Sequence, residues 1–318
     1  MNKAKSIGFC AVGWFAACFS MASGQDLNVN HPPVTLKFQW VPGKTYLQKM
    51  SLDQSLVIPM GAAKVNQAMK MTAETVMKVT ATGGAGGKEI EAKHERIRME
   101  MEMGGQKMAY DSAKPEDQTS PFAAVGGIVG KPFVLVVDEK NHVQAVKGLD
   151  EMSKALGANP AAMKMMKQFQ DKDAMDQLMN TWISQTLPNR PVKAGDQWPF
   201  DANMKLGEMG KFRMVGTYHF KGFAPCDGVD CAVLDMEGKM DVALTAPGKD
   251  DAGNPLAAMM PKFKDGVIKG RIYWDNDLGW MRGMEMQQKL SMSMKNPMDG
   301  AEMSIPMDQK IHTTVTTK

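Results

Sequence analysis

The sequence predicts an α+β fold: a mostly antiparallel, curved β-sheet, built as two similar halves or as a half-barrel, and covered by central helices. Three observations predict it. Long stretches alternate apolar and polar residues with period two, as strands half-buried in an antiparallel sheet do. One central stretch changes to a spacing of three and four, as an amphipathic helix requires. The alternation then resumes on the same plan. With 43% hydrophobic and 23% charged residues over 318 positions, the chain has the composition of a globular protein and not of a disordered or collagenous one. Its formal charge of +3 is spread along the chain, so no basic stripe offers a nucleic acid the phosphate contacts it needs. Methionine is the compositional outlier: its 32 residues outnumber leucine and isoleucine combined.

Taken in order, residues 1–24 read as a signal peptide. Lys3 and Lys5 precede the apolar run "IGFCAVGWFAACFSMA", and Ala22-Ser23-Gly24 supplies small residues for cleavage before Gln25. The apolar run is shorter than the roughly 20 residues of a membrane-spanning helix, so secretion or a periplasmic location is expected, with no transmembrane helix in the mature chain. "FAAC" at 15–18 offers the alternative, a lipid anchor on Cys18. Removal of Lys3 and Lys5 with the signal lowers the charge from +3 to +1.

Residues 25–148 form the first strand-rich part. In "MKMTAETVMKV", Met69, Met71, Ala73, Thr75, Met77 and Val79 fall on one face, and Lys70, Thr72, Glu74 and Lys78 mainly on the other. "TGGAGGK" at 82–88 lacks the spacing of a phosphate-binding loop and reads as a hairpin turn. The next strand, "RIRMEMEM", sets Ile97, Met99, Met101 and Met103 against Arg96, Arg98, Glu100 and Glu102, so one side of this sheet meets water. A further hairpin places four residues between Asp138 and Val143.

Residues 149–190 are the helical segment. In "DAMDQLMNTWISQTLP" the apolar residues Met175, Leu178, Met179, Trp182 and Ile183 make one stripe, ending before Pro188. An earlier helix is expected from Asn159, with Pro160 in its first turn and Met163, Met166 and Phe169 along it. These helices are expected to cover the methionine face. Residues 191–318 return to strands. Asp275 stands before an apolar return at Trp280, echoing Asp138 and Val143, and Met284, Met286, Met292 and Met294 alternate as before. The chain ends in a threonine-rich strand, "KIHTTVTTK".

In an oxidising compartment Cys226 and Cys231 are expected to form a disulfide closing the four-residue turn between them. The five histidines, His31, His94, His142, His219 and His312, are isolated in sequence, and the acid pairs Asp227/Asp230 and Asp275/Asp277 fall in turns, where carboxylates bond the local backbone. Neither set implies a metal or a cofactor. Metalloprotease, nucleophile-elbow and dinucleotide motifs are missing, so an enzyme is not expected.

"WVPGKTY" at 40–46, "YDS" at 110–112, "LPNRPVKAGDQWP" at 187–199 and the threonine tail resemble an uncharacterised family of exported bacterial proteins of about this length, a domain of unknown function. That resemblance implies export and one strand-rich architecture, with no catalytic residues. More distantly, the "IYWDNDLGWMRGMEM" hairpin is similar to those of envelope lipoprotein carriers, whose curved sheet holds acyl chains under helices. The expected role is a non-catalytic carrier for an apolar, lipid-like molecule, with Met69, Met71, Met77, Met99, Met101, Met103, Met284, Met286, Met292 and Met294 as its face. A structural or interaction protein of the envelope and a methionine-based copper-handling protein are the alternatives.

Overall fold

The computed structural model describes residues 27–60, 63–82, 86–119, 122–155, 172–205, 210–244, 262–295 and 302–318. The expected signal peptide with Cys18, and the expected helix from Asn159 with Met163, Met166 and Phe169, lie outside these residues. Twelve strands join in one sheet whose described pairings are all antiparallel. They are β1 (Thr45–Met60), β2 (Ala63–Ala81), β3 (Lys88–Met103), β4 (Gln106–Asp111), β5 (Pro132–Val137), β6 (Val143–Lys147), β7 (Gln197–Lys205), β8 (Gly210–Cys226), β9 (Val229–Leu244), β10 (Lys262–Asp275), β11 (Trp280–Lys295) and β12 (Glu302–Thr317). The spatial order is β6-β5-β3-β2-β1-β12-β11-β10-β9-β8-β7, with β4 beside β3. Two meanders are thus joined through the pairing of β1 with β12, the first strand with the last.

Among the described residues the α-helices are α1 (Ala123–Gly126), α2 (Leu149–Ala155) and α3 (Lys172–Thr186). The expected α+β fold with central helices over the sheet is therefore corrected: the molecule is a large curved antiparallel sheet, and its one long described helix serves the sheet edges. α3 touches β6 at one edge and β7 at the other. Asp176 accepts a 2.6 Å hydrogen bond from the Val143 N–H, and Gln185 accepts one of 2.8 Å from the Asp201 N–H. Each edge strand thus finds on the helix a partner for a backbone donor that lacks a neighbouring strand. Nine residues of helix, about 13 Å of axis, separate the two acceptors, and this short span requires the sheet to curl until its edges nearly meet. The apolar stripe of α3 carries Met175 and Met179 into the core, as its spacing requires, but toward a gap between edges instead of across a flat face.

Turn chemistry sets the register. β3 and β4 turn at Gly104-Gly105, both with positive φ, as a two-residue hairpin of the primed type demands. β8 and β9 turn at Asp227-Gly228 with φ of 50° and 76°, so Cys226 lies opposite Val229 and the four-residue turn expected between the cysteines is a two-residue turn. The hairpins at Asp138 and Asp275 form as expected. Asp138 accepts the N–H groups of Lys140 and His142, and Asp275 those of Asp277 and Leu278.

The N-terminal stretch closes one end of the sheet. The Gln39 N–H bonds to the Gly279 carbonyl, the Lys37 N–H to the Asn276 side chain, and the Trp274 indole N–H to the Lys37 carbonyl. Trp40 stacks on Trp280 at 4.6 Å and meets Tyr46 edge-on at 5.4 Å. A Cβ on Gly279 would come within 2.2 Å of Gln39, so this approach needs glycine.

Candidate functional site: the methionine-lined inner face

Pairing aligns inward residues in rungs that cross the sheet. One rung runs Ile97, Ala73, Met50, Thr313, Met284, Ile272, Leu234, Phe220. The next runs Met99, Met71, Leu52, Ile311, Met286, Gly270, Met236, Tyr218, Trp198. A third runs Met101, Met69, Gln54, Gln309, Gln288, Ile268, Gly238, Gly216, Phe200. A fourth begins Met103, Gln67, Leu56, Met307, Leu290. None of these positions carries a formal charge.

The pairings bring methionines from β2, β3 and β11 to one face, in graded environments. Met69, Met77, Met99, Met284 and Met286 are buried, Met71, Met101 and Met292 half-buried, and Met103 is 43% exposed. Met294 sits opposite Met303 in the β11–β12 ladder, and its side chain lies outside the described features. Along β3 alone the exposure climbs from 3% at Met99 through half-burial at Met101 to 43% at Met103. The inner face therefore runs from a packed end to one that meets solvent. A second apolar cluster, Phe212, Met240 and Leu290 with Met204, Met214, Val242, Phe263 and Met307, lies toward the solvent-meeting end.

Several residues of this face escape a reading of sequence. Met50, Met236, Met240 and Met307 join it through pairings far apart in the chain. Gln54, Gln288 and Gln309 form a polar row across three adjacent strands. Their signal in the sequence is parity: each occupies an inward position of a mostly apolar alternation. Gly216 and Gly238 lie side by side, and a Cβ on either would come within 2.6 Å and 3.1 Å of the Phe200 ring. The bare backbone there lets β7 fold its aromatic ring over the sheet.

Under α3, Tyr218 is wholly enclosed, and burial pushes its hydroxyl pKa up to about 12, opposed by the contact with the Thr186 hydroxyl at 3.2 Å. The Trp198 indole donates to the Thr186 carbonyl at 3.2 Å. These bonds fix the C-terminal turn of α3 to β7 and β8. On the inner face of β3, His94 stands opposite Thr75 and meets its hydroxyl at 2.9 Å, and burial lowers its pKa to about 4.

The outer face has the opposite chemistry. Lys49, Lys70, Glu100, Lys269 and Lys310 are exposed, and Arg213–Asp201, Arg271–Asp235 and Lys289–Asp308 pair across neighbouring strands. A barrel crossing a membrane turns an apolar band outward; this sheet turns charge outward and methionine inward. Among the described residues no helix is long and apolar enough to cross a membrane.

Cys226 and Cys231 lie on the outer face, diagonally across the β8–β9 ladder, both buried and both thiols. The Cys231 thiol is raised by its hydrogen bond to Cys226 and then by burial, while Cys226 is lowered by the same bond. Beside them Asp275 and Arg282 form an enclosed ion pair at 2.8 Å. A cavity of about 610 Å³ lies where Leu27 and Val29 meet Gly195, Gln197, His219 and Lys221, and no methionine lines it. Among the described residues no group of three His, Cys, Asp or Glu side chains is placed to hold a metal ion.

The chain belongs to the DUF6263 family of unknown function, whose pattern matches residues 85–281. No curated protein matches it. Among solved structures it is similar to one described for lipid–protein interactions in lipovitellin, at 9% identity and a TM-score of 0.46, over 87% of this chain and 26% of that one. The chain thus spans about a quarter of that protein's length. It is also similar to DynF of the dynemicin biosynthesis pathway of Micromonospora chersina, at 10% identity and a TM-score of 0.23, over 96% of this chain and 93% of that one. OccK5 (OpdH) of Pseudomonas aeruginosa follows, at 9% identity and a TM-score of 0.21, over 86% and 98%. At these TM-scores none of the three carries an argument about ligand or mechanism.

Proposed function

We propose that this family member is a non-catalytic binding protein that carries an apolar, lipid-like molecule against the inner face of its curved sheet, outside the cytoplasm. The observation that supports this most is the graded burial of one uncharged, methionine-rich face, from enclosed at Met284 to half-buried at Met101 and Met292. A face kept only as core would close over its apolar side chains, because each leaves water at a gain of roughly 25 cal/mol per Å². Here the gain is left unrealised at one end, on side chains whose unbranched, polarizable thioethers adapt to varied apolar shapes. The charged outer face keeps the loaded protein in water. The sequence of residues 1–24 supports export.

Native mass spectrometry with lipid extraction, on protein purified from its own compartment, tests the reading. Co-purified apolar molecules at a stoichiometry near one or a few per chain are expected. Protein that emerges bare, and takes up no pyrene-labelled hydrocarbon when titrated with it, contradicts the carrier reading and favours an interaction role for the same face.

A further inference from the structure

Three glutamines form a row across the inner face, and their bonding is unusual. Gln54, Gln309 and Gln288 stand directly opposite one another on β1, β12 and β11, all half-buried. Gln54 Nε2 donates to the Met307 sulfur at 3.4 Å, Gln288 Nε2 to the Met286 sulfur at 3.0 Å, and Gln309 Nε2 to the Met307 sulfur at 3.7 Å and to Gln54 Oε1 at 3.2 Å. Three of these four bonds end on thioether sulfur, a weak acceptor. An amide held in apolar surroundings on weak acceptors remains largely unsatisfied, and replacing sulfur by an oxygen acceptor recovers much of the cost of its burial. Further along β12, Thr313 is fully buried on the same face, and its hydroxyl has no hydrogen-bond partner among the described residues. It lies four residues from Gln309, about 13 Å along a strand.

We propose that the glutamine row recognises the carbonyl oxygens of a neutral long-chain acyl ester, whose hydrocarbon lies along the methionines on either side. This rests on the carrier reading above and narrows it to a class of ligand. The acceptor is a neutral carbonyl and not an ionised carboxylate because the rungs around the row hold no Lys or Arg to balance a negative charge. A carboxylate brought there keeps its desolvation cost without a counter-ion, whereas an ester oxygen loses far less hydration and gains an N–H donor. The row's donors are flanked by apolar wall, with Leu52 and Ile311 on one side and Leu56 and Met307 on the other. The mature protein binds no substrate covalently in this scheme, and no bond is made or broken.

Displacement of a pyrene-labelled hydrocarbon from the full mature protein, by methyl palmitate, palmitate at pH 8 and hexadecane, tests the assignment. The ester is expected to compete at least tenfold better than the alkane and the carboxylate. In Gln309→Met, and separately in Gln288→Met, the preference of ester over alkane is expected to fall to within about twofold; either volume-matched variant suffices if the other does not fold. Equal competition by ester and alkane in the unaltered protein, a preference for palmitate over the ester, or an undiminished ester preference in a folded variant overturns the assignment while leaving the carrier reading in place. Failure of the pyrene-labelled hydrocarbon itself to bind overturns both.

Discussion

The two ends of the sheet use the same strands and the same alternation to opposite effect. At one end Trp40, Trp274, Trp280 and Tyr46 lock together, and the N-terminal stretch pins them with backbone and indole hydrogen bonds. At the other, Met101, Met103, Met292 and Met307 share the inward parity with glutamines and remain partly open to solvent. Alternation sets which way a side chain points. Whether that direction leads to a finished core depends on what the rest of the chain brings to meet it. Rigid aromatics suit the end where partners are fixed. Flexible thioethers suit the end where, among the described residues, the inward face meets solvent.

Substitutions break this comparison in a graded way. The largest loss is expected at the closed end: Trp274→Ala removes a fully buried indole and should cost about 3–5 kcal/mol, read as a large drop in Tm. Met284→Ala, at 1% exposure, should cost about 3 kcal/mol by chemical denaturation. Acid should add a distinct effect through His94. Its folded pKa of about 4 lies below the ordinary 6.5, so its contribution is complete above pH 6.5 and is lost as the pH falls from there toward 4. About 2 kcal/mol should be gone at pH 5, and His94→Gln should flatten that part of the stability profile. If the thiols oxidise as an oxidising compartment predicts, reduction of a Cys226–Cys231 bridge should cost about 2 kcal/mol; two free thiols in protein from an oxidising compartment would remove the bridge. Smallest of all, Met101→Ala should cost about 1 kcal/mol and the neighbouring Glu100→Gln about 0.5 kcal/mol or less. A Met101→Ala loss as large as that of Met284→Ala would erase the distinction between the ends.

Much of this was legible in the sequence. The "MEMEM" run shows which residues of β3 face inward, and the glycine pair and Asp-Gly dipeptide mark their turns, because these signals act over a few residues. The helical stripe at Met175 and Met179 was legible as well. Its location was not, since an apolar stripe records that something must be covered and not whether that is a face or the gap between β6 and β7. The pairing of β1 with β12 escapes for the same reason: nothing in "TYLQKMSLDQ" names "DQKIHTTVTT" as its neighbour. The glutamine row exists only through that pairing and the adjacent β11–β12 ladder. Read singly, Gln54, Gln288 and Gln309 are ordinary polar residues.

The central claim, that the methionine-lined open end receives an apolar molecule, is tested most directly by photo-crosslinking with a diazirine-bearing long-chain acyl ester, followed by peptide mapping. Labels are expected on β2, β3, β11 and β12 near Met69, Met101, Met292 and Met307, and not on the locked aromatics around Trp40 and Trp274. Labelling confined to the charged outer face or to the cavity beside Val29 and His219, or no saturable labelling at all, would contradict the account.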